Sequence, residues 1–151
     1  MNTNSFFSRL QVIFLALLVT QIALLVIAHM GKVTLSPDLD SVFIYTVPVI
    51  AISALVISQL ISAKLREVKL NTKDTQKKLP QKLNHYITIS LVRWTPIEGA
   101  NILALVAFMM THNATYLYIS ASLFVLFIYT YPSKTKCIQE LQLDEKEQQL
   151  L

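Results

Sequence analysis

The chain has 151 residues, of which 54% are hydrophobic and only 15% are charged. Soluble domains carry about 25% charged residues, so this composition excludes an ordinary soluble domain and indicates a membrane protein. The formal net charge of +4 does not point to nucleic acid, because most of the lysines and arginines flank apolar segments, where they set topology and contact anionic lipid.

Four apolar segments are long enough to cross a membrane as helices. Residues 10–30 and 42–62 each hold 21 residues without a formal charge, about 30 Å as a helix, which matches the hydrocarbon core. Residues 86–110 and 114–131 form the third and fourth segments, joined by the short polar link 111–113. We predict an all-α membrane protein in one domain, 1–151, with four transmembrane helices in two antiparallel hairpins.

Lysines and arginines are concentrated on one side of these four predicted spans. Seven lie between the second and third spans, Arg9 lies at the amino terminus, and three follow Pro132. The opposite side has only Lys32. The positive-inside rule therefore predicts that both termini are cytoplasmic. The first span is expected to remain uncleaved, because its apolar stretch exceeds the roughly 7–15 residues of a signal-peptide core.

The segments outside the spans are basic. The cytoplasmic link 63–81 is typical of a solvated connection near acidic headgroups, and docking of a protein partner along 63–82 is the alternative. The tail, 132–151, is expected to form a short interfacial helix followed by a frayed end. Its Cys137 is the only cysteine, which excludes an intrachain disulfide. Cys137 is expected to be a reduced thiol, and lipidation near the inner interface is the alternative.

The third span contains a carboxylate, Glu98, two residues after Pro96 and five after Arg93. An ionisable group in hydrocarbon is costly unless it is paired or protonated, so Glu98 is a functional-site hypothesis by default. Counting about 1.5 Å per residue back from Thr111 places Glu98 roughly 20 Å down, in the inner half of the membrane. Arg93 then falls near the cytoplasmic interface. An aromatic girdle is expected at that level from Trp94, Tyr129 and Tyr131.

The sequence around Pro96 allows two local structures. One is a continuous helix from about Lys82 that bends at Pro96. The other is an interfacial helix over 81–94 that breaks, with a new helix capped by Thr95 and by Glu98 in the pattern of a capping box. The apolar residues before the proline favour the continuous helix.

A polar cluster is predicted inside the bundle. Glu98 and Asn101 share a helix face because they are three residues apart, whereas Arg93 meets Glu98 only if the helix bends. Thr20 and Ser58 also fall near this depth. The candidate cluster contains Glu98, Arg93, Asn101, Gln21, Ser53 and Gln59. Interhelical hydrogen bonding is its first interpretation, and a proton or transport site is the second.

Two histidines, His29 and His112, lie at the outer ends of the first and third spans. They are candidate haem or metal ligands, but helix ends are ordinary places for histidine, so no cofactor or metal is predicted. The sequence has no glycine-rich phosphate loop, no Ser/His/Asp constellation and no zinc-spaced Cys/His cluster. We therefore do not expect an enzyme.

Short motifs in the carboxyl-terminal half suggest a family. They are Arg93 followed by Glu98-Gly99-Ala100, then Tyr131-Pro132-Ser133-Lys134, then Leu141 and Leu143 before an acidic end. In these motifs, residues 91–145 resemble a group of uncharacterised small four-helix bacterial inner-membrane proteins. The resemblance implies that architecture and a multi-pass location in the inner membrane. The group has no established activity, so the resemblance supplies no mechanism.

Two functions are consistent with these features. The first is a noncatalytic integral inner-membrane protein with a structural or interaction role, whose partners are the lipid bilayer and, at the basic link, anionic lipid or a protein. The second is a small proton-coupled transporter or ion-conducting subunit that uses Glu98 as a titrating group. Either function is compatible with a homo-oligomer.

Overall fold

The computed structural model describes residues 3–31, 38–70 and 79–148, and those residues are helical, with short connections and no strands. The all-α prediction is therefore confirmed. In chain order the helices are α1 (Thr3–Met30), α2 (Asp38–Leu70), α3 (Leu79–Thr111), α4 (Ala114–Tyr129), α5 (Lys134–Leu141) and α6 (Glu145–Gln148).

Three helices are long and apolar enough to cross a membrane. Their candidate spans are Phe6–Met30, Asp40–Leu65 and Gln81–Thr111, which enclose the first three segments predicted from sequence. The fourth, α4, qualifies together with α5, and the two helices meet at an angle of 78°. Within the described residues there are therefore three or four membrane-capable helices, as expected for a multi-pass membrane protein.

Two buried apolar clusters show that α1 to α4 alternate in direction. The first, here called the tail-end core, contains Cys137 of α5, and the second, the turn-end core, lies beside the α3–α4 turn. Helices α1 and α3 begin in the tail-end core and end in the turn-end core, whereas α2 and α4 run the opposite way. The tail-end core includes Phe14, Ala54, Trp94, Phe127 and Cys137, and the turn-end core includes Ala28, Val47, Ala107 and Tyr116.

Helix α3 is the centre of the bundle. It packs against α1, α2 and α4, most extensively against α2, whereas α1 and α2 pack on α3 rather than on each other. The two helices of the predicted first hairpin alternate in direction, and α3 packs against both of them. Ala100, Ala104 and Ala107 of α3 are buried, and such small side chains let neighbouring helices approach closely.

Helix α3 continues through Pro96 without a break. The alternative in which Glu98 caps a new helix is wrong, because the Thr95 hydroxyl donates to the Leu91 carbonyl at 2.8 Å inside the same helix. A proline has no N–H and crowds the preceding turn. The Ser58 hydroxyl of α2 donates to the Arg93 carbonyl in that turn at 2.8 Å. This hydrogen bond joins α2 to α3 next to the Val92 carbonyl, which is the one that Pro96 leaves without its helical N–H donor.

The tail folds back onto the start of α3. Ser133 caps the start of α5 by accepting a hydrogen bond from the Lys136 backbone N–H. Gln142, which follows the last residue of α5, is its C-cap and has a φ of 47°. Leu143 is buried beyond this turn, and Glu147 of α6 forms a 2.6 Å ion pair with Lys82. The residues up to Gln148 are therefore folded, and the prediction of a frayed end is wrong for them.

Several sequence predictions fall on residues outside the described ranges. Lys73, Lys77 and Lys78 of the basic link lie there. Lys32, the cation assigned to the opposite side, and residues 149–151 at the end of the tail also lie there.

Candidate functional site

Four buried polar side chains from three helices form one hydrogen-bonded chain. Gln21 of α1 donates from Nε2 to Oε2 of Glu98 on α3. Asn101 of α3 donates from Nδ2 to Oε1 of Gln21 at 3.1 Å. Ser120 of α4 donates to Oδ1 of Asn101 at 2.6 Å. We call Gln21, Glu98, Asn101 and Ser120 the polar network; each is between 1% and 8% exposed.

The position of the polar network follows from the helix period and the fold. Glu98 and Asn101 share a face of α3 because they are three residues apart. Gln21 reaches that face because α1 packs directly on α3. Ser120 was missed in the sequence, where it is a single small hydroxyl in an apolar helix. Ser120 lies six residues after the start of α4, whereas Asn101 lies ten residues before the end of α3, so pairing the two helices outward from the turn would not have indicated this contact.

One oxygen of the central carboxyl group has no partner among the described residues. Oε2 of Glu98 accepts the hydrogen bond from Gln21, while Oε1 is buried without any hydrogen bond. A buried unpaired polar atom is unfavourable, and a charged carboxylate in such a place is more so. Glu98 is also the one member of the network that can gain or lose a proton, because glutamine, asparagine and serine do not titrate.

Arg93 lies outside the polar network. Its Nη2 donates to Oε1 of Glu140 in α5 at 2.9 Å, and the side chains are 11% and 14% exposed. Arg93 was expected to reach Glu98 if α3 bends, but a residue five positions away lies on a different helix face. Glu140 was not singled out in the sequence, because it is brought to Arg93 only when the tail turns back after Pro132.

Other residues of the candidate cluster also lie outside the polar network. Ser53 and Gln59 of α2 are exposed. Thr20 is exposed and donates to the Ala16 carbonyl of its own helix. The candidate cluster was chosen by depth along each helix, which does not give the direction of a side chain around the helix. Ser58 is buried, but its hydroxyl donates a hydrogen bond to the Arg93 carbonyl and does not join the polar network.

Trp94 belongs to the core rather than to an aromatic girdle. It is 1% exposed and its ring lies 5.3 Å from that of Phe14, which in turn stacks on Phe127 at 4.7 Å. The predicted girdle is therefore wrong for Trp94, whose inward direction was not evident from its depth. Tyr129 and Tyr131 are exposed, at 79% and 41%.

At the opposite end of the bundle, Asp40 ties the start of α2 to the α3–α4 turn. The Tyr116 hydroxyl donates to Oδ1 of Asp40 at 2.8 Å, and Nδ2 of Asn113 lies 3.3 Å from each Asp40 carboxylate oxygen. Asn113 also caps α4 by accepting from the Thr115 backbone N–H. These contacts give Asp40 a structural role that the sequence did not reveal.

The two histidines have different surroundings. His29 lies on an apolar surface groove with Leu117, whereas His112, with a φ of 54°, packs edge-on against Phe108. In the part of the chain that the structure describes, no three histidine, cysteine or acidic side chains are close enough to hold a metal ion. No described feature therefore favours His29 and His112 as ligands.

Cys137 is fully buried in the tail-end core. Burial, with a smaller contribution from the nearby Glu140 carboxylate, raises the pKa of the Cys137 thiol from 9.0 to about 12. Because the thiolate is the reactive form, a protonated and buried thiol is a poor nucleophile. The structure therefore favours the reduced thiol over lipidation.

Comparison with known proteins gives no family for this chain. No protein-family model, curated protein or solved structure matches it. A function must therefore be inferred from the chain's own residues, and the polar network is the feature that most needs explanation.

Proposed function

We propose that the chain is a noncatalytic integral protein of the bacterial inner membrane with a structural or interaction role. Helices α1 to α4 cross the bilayer, both termini are cytoplasmic, and the polar network holds three of the four helices together. The observation that supports this proposal is the chain of hydrogen bonds from Glu98 to Ser120. Each of these hydrogen bonds joins side chains on two different helices.

The distribution of charge supports the proposed orientation. Arg9, Lys64 and Lys82 lie toward the tail-end core, and Asp40 lies toward the turn-end core. Positively charged residues favour the cytoplasmic side, so the tail-end core faces the cytoplasm. The basic residues there are suited to contact anionic lipid headgroups or an acidic protein partner.

Polar contacts between membrane helices are commonly structural. Hydrogen bonds between such helices average about 0.6 kcal/mol and reach about 1.7 kcal/mol, so the linked bonds of the polar network provide a modest but directional constraint. The resemblance to small four-helix inner-membrane proteins supports the proposed architecture and location and supplies no mechanism.

The structural role predicts that Glu98→Gln folds and remains nearly as stable as the unmodified chain. The amide oxygen of glutamine can accept the hydrogen bond from Gln21, so the free energy of unfolding should change by less than about 1 kcal/mol. Denaturant unfolding in detergent micelles measures this change. A loss of several kcal/mol would show that the carboxyl group has a role that an amide cannot fill.

A proton-coupled carrier is the second candidate, and one observation favours it. Oε1 of Glu98 is buried without a hydrogen bond among the described residues, as expected of an oxygen that takes up and releases a proton. In liposomes with an imposed pH gradient, the carrier role requires proton flux that Glu98→Gln abolishes. The structural role requires equal background flux from both proteins.

The proposed topology predicts opposite labelling at the two ends of the bundle. Glu67 and Thr115 are both exposed, and Cys137 is buried, so cysteine introduced at either exposed position can be labelled selectively. A membrane-impermeant maleimide should label Thr115→Cys in intact cells and Glu67→Cys only after the inner membrane is permeabilised. Labelling of Glu67→Cys from outside would overturn the orientation.

A further inference from the structure

A polar cavity of about 210 Å³ is lined by residues of α2, α3, α4 and α5. This volume is several times the roughly 30 Å³ occupied by a water molecule in the liquid. It is therefore large enough for a small polar group of several atoms. The cavity is lined by Gln59, Arg93, Tyr129, Thr130, Lys136, Gln139 and Glu140.

Two cations in the cavity wall retain free donors. Among the described residues, the Arg93 guanidinium makes one hydrogen bond, to Oε1 of Glu140, although a guanidinium has five N–H groups. Nζ of Lys136 donates to the carbonyls of Tyr129 and Tyr131 at 2.6 and 3.2 Å, which leaves one of its three donors. Arg93 is 9% exposed, so its position is fixed by the protein around it.

The net charge of the lining suits a single anion. Arg93 and Lys136 contribute two positive charges and Glu140 one negative charge, which leaves one positive charge. Glu140 also holds the Arg93 guanidinium in place. A group with one negative charge and several acceptor oxygens would balance this charge and accept from the remaining donors of Arg93 and Lys136, and arginine is well suited to phosphate oxygens. Oε2 of Glu140 is buried without a hydrogen bond among the described residues, and a phosphodiester oxygen does not supply the donor that it lacks.

In the proposed topology, the cavity lies near the cytoplasmic interface of the membrane. Tyr129 and Gln59 are exposed on the outer surface of the bundle, and tyrosine is enriched where the hydrocarbon core meets the headgroups. Phospholipid phosphates lie at this level. A lipid can therefore present its phosphate to Arg93 and Lys136 while its acyl chains remain beside the apolar surface of α2 and α4.

We propose that this cavity binds the phosphodiester group of a membrane phospholipid, with Arg93 and Lys136 as its donors. This inference rests on the proposed membrane location of the bundle. It differs from general attraction of anionic lipid to the basic link, because it assigns one headgroup to a defined cavity between helices.

The test compares two lysines on α5. Lys136 lines the cavity, whereas Lys134 lies over the Phe7 ring, with Nζ at 5.9 Å from its centre. Lys136→Gln and Lys134→Gln remove the same charge from the same helix. Binding of dihexanoyl phosphatidylglycerol to the full chain in a neutral maltoside detergent is measured by titration calorimetry. Lys136→Gln should weaken binding about tenfold, because a charge-assisted hydrogen bond is lost, and Lys134→Gln by less than about twofold.

Two further probes separate the lipid phosphate from other ligands. Dihexanoyl glycerol has the same acyl chains without phosphate and should not bind measurably. Inorganic phosphate supplies the anion without chains and should bind at least tenfold more weakly than the phospholipid. Equal binding of either probe, or equal effects of the two lysine substitutions, would overturn the proposal. The labelling of Glu67→Cys and Thr115→Cys tests the membrane topology independently of this result.

Discussion

Replacement of Gln21 by leucine should lower the free energy of unfolding by about 2 kcal/mol. Gln21 both donates to Glu98 and accepts from Asn101, so its loss breaks two links of the polar network. Oε2 of Glu98 and Nδ2 of Asn101 are then buried without these partners. The leucine fills a similar volume, so the loss reflects mainly the unpaired polar atoms. Denaturant unfolding in detergent micelles measures the effect.

A matched control is available on α2. Gln59→Leu makes the same chemical change at an exposed position outside the polar network, and it should alter the free energy of unfolding by less than about 0.5 kcal/mol. Equal losses for Gln21→Leu and Gln59→Leu would show that the polar network does not hold the helices together. The bundle would then depend on apolar packing alone.

The sequence was informative about the positions of the helices and the spacing of residues within them. Charge-free stretches and the helix rise located the membrane-capable helices, and the three-residue spacing correctly placed Glu98 and Asn101 on one face of α3. The continuity of α3 through Pro96 was also correctly favoured, because apolar residues continue up to the proline. These features depend on local spacing, which a single sequence contains.

The features that sequence reasoning missed depend on how helices rotate and which helices meet. Ser53 has a suitable depth, but its side chain points away from the polar network, and depth alone does not indicate this direction. Trp94 likewise faces the core rather than the membrane interface. The pairing of Arg93 with Glu140 spans 47 residues and requires the tail to fold back, which hydropathy does not predict.

Removal of the Glu140 carboxylate should destabilise the chain by about 2–3 kcal/mol and loosen the tail. Glu140→Ala leaves the mostly buried Arg93 guanidinium without its counter-charge, and breaking a buried ion pair from one side typically costs about 3–5 kcal/mol. The expected loss is smaller because both side chains retain some exposure, 11% and 14%. Denaturant unfolding measures stability, and limited trypsin digestion at Lys134 and Lys136 measures release of α5.

The second ion pair between α3 and the tail provides the control. Lys82 and Glu147 are more exposed, at 27% and 20%, so Glu147→Ala should cost less than about 1 kcal/mol. The double variant Arg93→Met with Glu140→Ala should recover most of the stability lost by Glu140→Ala, because it removes the unpaired charge as well as its partner. If the double variant were as unstable as Glu140→Ala, lost packing of α5 rather than an uncompensated charge would explain the effect, and Arg93 would have no electrostatic role in holding the tail.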